Sequence, residues 1–230
     1  MSRKCLPTLV LISTLFVLPT VIHAAQTLTS LRLLYPSFAG SWGTAWIAKE
    51  AGYFSNEGLD VELIRVGVST RMVAALQSGA VQAGALSFPL YAKATKLGMR
   101  ELVNFAELGA EDINGTVITT RSLIAQQRDT ILRFLRAFTR GMHRYRTDKE
   151  FSKKVLGKYG KITDEETLEG TWQDYAPTLQ KSPRPSLKAI QFLLENQFPG
   201  KKPRPKPEQF VDTSLVEQLE KSGFIDSVNK

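Results

Sequence analysis

The chain has very little cysteine and histidine. Its 230 residues hold one cysteine, Cys5, and two histidines, His23 and His143. Cys5 and His23 both fall in a leader-like opening. Arg3 and Lys4 supply two positive charges, Leu6 to Ile22 form an apolar run interrupted by Pro7 and Pro19, and His23-Ala24-Ala25 offers small residues for cleavage. Residues 1–25 are therefore read as a removed signal peptide, which predicts a periplasmic or secreted protein. The run is barely long enough for a bilayer anchor and is broken by prolines. Cys5 precedes the run, where a lipoprotein cysteine would follow it. After cleavage the chain of about 205 residues has no cysteine. That excludes disulfides, a thiol nucleophile and Cys-ligated zinc or iron–sulfur clusters. With His143 alone in the basic run TRGMHRYR, neither a His-rich metal site nor a Ser-His-Asp arrangement can be drawn. No cofactor and no catalytic residue is expected.

Hydrophobic residues at 43% and charged residues at 23% are ordinary for a globular chain, which is long enough for one large domain or two small ones. The net charge of +8 falls to +6 once Arg3 and Lys4 leave. The cations are spread through TRGMHRYRTDKEFSKK and KKPRPKP without the interleaved aromatics of a base-stacking platform, so solvated faces and a linker are expected, not a nucleic-acid interface.

Apolar spacing predicts a strand at SLRLLYP (30–36), then a small-residue loop, PSFAGSWG, suited to close backbone approach. Ile47, Ala51 and Phe54 share one helical face, Gly52 and Gly58 punctuate its exit, and LDVELIRV reads as a second strand. Strand, helix and strand form a βαβ unit and favour a parallel sheet. The pattern repeats: Ser69 or Thr70 caps a helix carrying Met72, Val73 and Leu76 that ends at Gly79. AVQAGALS is a short strand, Ser87 caps a helix with Pro89 in its first turn, and Leu90, Ala94 and Leu97 face the core. ELVNFAEL and NGTVITT are further strand candidates. Asn114-Gly115-Thr116 also fits a glycosylation sequon, though a turn into a strand explains it better. From Ser122 the chain reads as helices: Leu132, Leu135 and Phe138 at helical spacing, then two shorter helices with Thr163 and Asp164 as cap candidates. Another helix follows at SPRPSLKAIQFLLENQF, then the KKPRPKP linker and a closing helix at DTSLVEQLEKSGFI.

AWIAKEAGYFSNEGLDVELI resembles the opening of the SsuA-like (aliphatic sulfonate, nitrate, taurine and thiamine-precursor) group of periplasmic substrate-binding proteins, which feed ABC transporters. ALQSGAVQAGALSFP, NGTVITT, FLRAF and YAPTLQKSPRPSLKAI extend the resemblance over most of the mature chain. The fold it implies is α/β, a periplasmic-binding-protein type 2-like parallel sheet with flanking helices. The expected layout is a binding lobe at 26–120 and a helical region at 121–230 packing on it. The implied role is delivery of a small, anionic or sulfonate-like solute to an importer permease. In such a lobe, small residues and backbone N–H groups at strand carboxyl ends can hold an anion. The candidate ligand walls are Ser37, Phe38, Gly40, Ser41 and Trp42; then Gly67, Ser69 and Thr70; then Ser87 and Phe88. Trp42 equally suits the core, and Ser69 and Ser87 equally suit helix caps.

The chain also departs from that group, whose members have two lobes and run roughly 100 residues longer. RVGVSTRMVAALQSG passes from a segment resembling the first lobe to one resembling the later half of the second, with the join near Gly67 and Val68. The expectation is a single merged lobe with ligand binding weakened or lost. The alternatives are a truncated, non-binding remnant, a cationic envelope protein that contacts membranes through its basic tail, and a thiamine-pyrimidine synthase-like enzyme. The last would need an active-site His and a Cys-rich motif, and neither pattern is present.

Overall fold

The computed structural model describes residues 27–37, 40–66, 69–86, 94, 97–104, 116–197 and 205–230. The signal segment, the beginning of the KKPRPKP linker, Asn114 and most of the helix expected after Ser87 lie outside them. Five strands form one sheet in the order β2-β1-β3-β5-β4: β1 (Thr29–Tyr35), β2 (Leu59–Arg65), β3 (Ala83–Leu86), β4 (Met99–Asn104) and β5 (Thr116–Thr120). β1 is parallel to β2, with Tyr35 opposite Arg65, and parallel to β3, with Leu34 opposite Gly84. The expected βαβ repeat is therefore present. β5 runs against both its neighbours, Gly84 opposite Ile118 and Met99 opposite Thr120, so the sheet is mixed rather than purely parallel. Short apolar runs carry no direction, so the expectation of a parallel sheet did not reveal this strand's reversed sense.

The predicted single helix around Ile47, Ala51 and Phe54 is two helices, α1 (Gly43–Glu50) and α2 (Tyr53–Asn56). Gly52, at φ 71°, breaks them apart in a left-handed conformation that L side chains rarely adopt. Ile47 and Phe54 are buried all the same. α3 (Ser69–Gln77) presents Met72, Val73 and Leu76 to the core, and the chain leaves it through Gly79 at φ 73°.

Alternation along the strands divides the core in two. Leu31, Leu33 and Val117 face one apolar cluster, while Leu34 and Ile118 face the other. The first cluster takes in α1, α2 and the long helix α5 (Arg128–Thr147), which follows the short α4 (Arg121–Gln126). Along α5, Ile131, Phe134, Leu135, Phe138, Met142 and Tyr145 recur at helical spacing on the buried side, and Phe134 stacks on Phe54 with ring centroids 5.4 Å apart. The second cluster takes in α3 and α8 (Leu187–Gln197), through Ala189, Ile190, Leu193 and Leu194. The helical half of the chain thus covers both faces of the sheet.

Between these lie α6 (Lys149–Gly160) and α7 (Glu165–Tyr175), and α9 (Ser214–Lys221) and α10 (Phe224–Val228) close the chain. Asp164 caps α7 as expected, its carboxylate accepting the Thr167 N–H at 2.8 Å.

Arginines of α5 and several cations of the basic run, expected as a solvated face, are partly buried in ion pairs and hydrogen bonds with other elements. Arg133 donates through Nη1 to the carbonyls of Glu57 and Gly58 at 3.1 and 3.2 Å, and Arg136 reaches the Glu57 carboxylate at 2.7 Å. Arg140 pairs with the other Glu57 oxygen, Arg144 with Asp148, and Lys149 and Lys153 with Glu169. The basic tail is thereby occupied in holding α5 to the α2–β2 turn and α6 to α7.

The Glu57 side chain is 10% exposed and faces two guanidinium groups, so Glu57→Ala strands two half-buried cations. Urea denaturation should show a loss of about 2 to 4 kcal/mol, near the range for breaking a buried pair. A second expectation concerns pH. The Lys149 ammonium foremost, then Lys153 and Gln173, hold the Glu169 carboxyl down to about 2, against 4.5 when free. A lowered carboxyl stabilises the fold above its unfolded value, and that contribution disappears as it protonates. The melting temperature should therefore fall from about pH 5 down to about pH 2, and Glu169→Gln should flatten that slope.

Candidate functional site

The three sequence-predicted walls follow β1, β2 and β3, adjacent strands that run the same way. Parallel register sets their carboxyl ends along one edge of the sheet, with Tyr35 and Arg65 as direct neighbours. The chain leaves β1 through Pro36 and Ser37, makes a 3-10 turn at Gly40–Trp42 and enters α1. It leaves β2 at Val66 and enters α3 at Ser69, with Thr70 in the same first turn. Phe38, Gly67, Ser87 and Phe88 lie outside the described residues, so the third wall is represented by its supporting strand, β3, alone.

The first loop is closed on itself and on the helical half. Trp42 is 3% exposed and shares an apolar cluster with Tyr35, Trp46, Ala176 and Leu179. Its indole N–H donates to the exposed Ser37 hydroxyl at 3.1 Å. The ring serves the core, the alternative that the sequence left open for it. Ser41 and Gly40 are also buried.

Gly40 does approach another part of the chain closely, as its setting suggested. A Cβ there would stand 2.6 Å from both the Thr171 methyl and the Tyr175 ring, and one on Gly43 would stand 2.6 Å from the Tyr145 ring. The Tyr145 hydroxyl donates to the Gly40 carbonyl at 3.0 Å. Burial pushes the Tyr145 phenol far above its ordinary value, so it stays a neutral donor. Burial likewise raises Tyr35, whose ring meets Trp46 edge-on at 5.7 Å. Sequence reasoning missed Tyr145, Thr171 and Tyr175, which lie more than a hundred residues along the chain. The glycines gave the signal that something packs there, without saying what.

The charge at this edge has one sign. Segments 35–37, 40–43, 65–66 and 69–72 contain Arg65 and Arg71 and no acidic residue. Neither α1 nor α3 has an acid in its first turn, and α1 has no side-chain cap. Free N–H groups and the helix dipole favour an anion at such ends. Among the described residues no group of acidic residues, histidines and cysteines could hold a metal ion, and His143 lies within α5.

The same architecture recurs in solved structures. A protein from Bordetella bronchiseptica RB50 matches at a TM-score of 0.69 and 10% identity, over 84% of this chain and 98% of that one. The fold is that of the periplasmic binding proteins. The periplasmic aliphatic sulphonate binding protein SsuA from Escherichia coli matches at a TM-score of 0.57 and 13% identity, over 83% and 99% of the two chains. The periplasmic nitrate-binding protein NrtA from Synechocystis PCC 6803 matches at 0.65 and 9%, over 85% and 89%. Residues 42–98 match the family model "NMT1/THI5 like", a stretch that includes most of the sequence signature. No curated protein matches the chain by sequence. The SsuA-like resemblance read from the residues is borne out in the periplasmic-binding-protein fold and in this family-model match.

Two substitutions probe the contact that closes the first loop. Tyr145→Phe leaves the buried Gly40 carbonyl without its donor and should cost about 1 to 2 kcal/mol in urea denaturation. Gly43→Ala forces a methyl group into the Tyr145 ring and should cost about 1 to 3 kcal/mol.

Proposed function

We propose that this chain is an extracytoplasmic solute-binding protein that presents a small anionic or sulfonate-like solute to an ABC importer permease. One observation carries the reading: three adjacent parallel strands end at one edge, whose described segments are free of acidic residues and include two helix N-termini. Such an edge can take an anion on backbone N–H groups without a buried counter-charge. The sulphonate- and nitrate-binding proteins that share the fold support the same solute class, and a ligand-binding component of an ABC-type import system from Staphylococcus aureus, which shares it too, supports the importer role. Export follows from the leader-like residues 1–25. Among the described residues, no helix is long and apolar enough to cross a membrane.

The proposal includes weakened binding. A binding protein closes two bodies around its ligand, and affinity comes from desolvating the ligand on several sides. Here the described strands form one sheet, and the first loop is filled by its own tryptophan and roofed by α5 and α7. An internal shortening near Gly67 and Val68 would leave such a merged lobe without an opposing wall. A folded lobe that no longer binds is therefore the second reading.

A thermal-shift screen of the purified chain against nitrate, alkyl and aryl sulfonates, aromatic acids and pyrimidines separates these readings. A native-state ligand raises the melting temperature with dose, even at millimolar affinity. The expected result is one responsive class of anion, with Arg65→Gln weakening it by roughly tenfold. A cooperative melt that no compound moves would overturn binding and leave the emptied lobe.

A further inference from the structure

Helix α7 covers the Gly40 turn without being anchored in the core. The Thr171 methyl and the Tyr175 ring each lie 2.6 Å from the point a Cβ on Gly40 would occupy, so α7 fills the space beside the turn. Yet none of the α7 side chains that the structure describes is fully buried. Leu168, Trp172 and Tyr175 only lean, half-buried, on the cluster beneath the sheet. Its neighbours differ: α5 buries nine residues and α6 buries four.

What holds α7 down is largely polar. The Trp172 indole N–H donates to the Tyr145 carbonyl at 2.8 Å. Glu169 pairs with Lys149 at 2.5 Å and with Lys153 at 3.1 Å, and Glu165 pairs with Lys153 as well. Lys149, Glu165 and Glu169 stay partly exposed, so water competes for these pairs and they hold weakly. Both ends of the helix are jointed. Lys161, which leads out of α6, sits at φ 55°, and no other non-glycine residue among the described ones has a positive φ. After Tyr175 the chain bends through the 3-10 turn Ala176–Thr178, which contains Pro177. Hinges form at such element-terminal residues, and segments with few buried apolar contacts open at less cost than the core.

We propose that α7 is a lid on the first loop, lifting off the Gly40 turn while α5 and the sheet stay folded, and that it governs solute access there. Control of solute entry rests on the transport reading proposed above, whereas the movement itself does not. Closed, the lid keeps Gly40 and Ser41 buried; open, it presents their backbone to solvent.

Thiol labelling tests the movement with no solute present. In the full chain, Cys5→Ser removes the one native thiol. On that background Ser41→Cys reports the turn, and Thr139→Cys, at a fully buried position of α5, reports global unfolding. The Ser41→Cys thiol should react about tenfold faster than the Thr139→Cys thiol and respond little to low urea, because a local opening exposes little surface. Tyr175→Ala should speed the Ser41→Cys reaction. Glu57→Ala should speed only the Thr139→Cys reaction, since the Glu57 pairs stay intact when α7 alone lifts. Equal rates and urea slopes at the two positions overturn the lid, as does a Ser41→Cys rate that Tyr175→Ala leaves unchanged. For solute, calorimetry with methanesulfonate should show several-fold tighter binding to Tyr175→Ala than to the parent chain, and equal affinity overturns control of entry. Binding to neither protein sinks the transport reading and control of entry with it, and the labelling result still decides the lid.

Discussion

Helix α5 lies so close against α1 that one position between them can carry no side chain. A Cβ on Gly141 would stand 2.8 Å from the Thr44 carbonyl oxygen and 2.9 Å from the Ala48 methyl. Backbone cannot yield as a flexible side chain can, so this approach fixes how α5 sits on the lobe. The rest follows from that placement. It drives Ile131, Phe134 and Phe138 into the cluster beneath the sheet and brings Tyr145 under the Gly40 turn. It also swings Arg133, Arg136 and Arg140 onto the Glu57–Gly58 turn. A helix that supplies core, loop anchor and ion pairs together makes the C-terminal half part of the lobe rather than an appendage.

That arrangement bears directly on function. In an anion-binding lobe the loop after the first strand has to present its backbone to solute. Here its aromatic residue turns inward, its N–H goes to Ser37, and Tyr145 with Tyr175 occupies the space beside Gly40. The described segments of that edge hold no acidic residue, while Trp42, Tyr145 and Tyr175 take up the space at the Gly40 turn.

The basic tail shows how charge can mislead when read linearly. TRGMHRYRTDKEFSKK looks like a solvated surface because its cations are dispersed and nothing nearby in sequence neutralises most of them. Glu57 lies 79 and 83 residues from the arginines it meets, and Glu169 lies 16 from Lys153. Arg144 with Asp148 is a local pair, at the four-residue spacing that a helix brings together. The pairing was legible where the helix itself made it, and hidden where packing did.

The sequence by itself determined the local elements and their order. Glycines at 52, 58 and 79 mark positive-φ breaks, Asp164 starts a helix, and alternating apolar residues place Leu31 and Leu33 on one face and Leu34 on the other. These depend on backbone sterics, capping and side-chain period, all of which act over a few residues. Only the tertiary structure decided the direction of β5, the inward turn of Trp42 and the partners of the basic helix. Each of those is set by contacts between segments far apart along the chain. Burial and electrostatics act through space, so the sequence names the residues that can make such contacts and the packed fold chooses which of them meet.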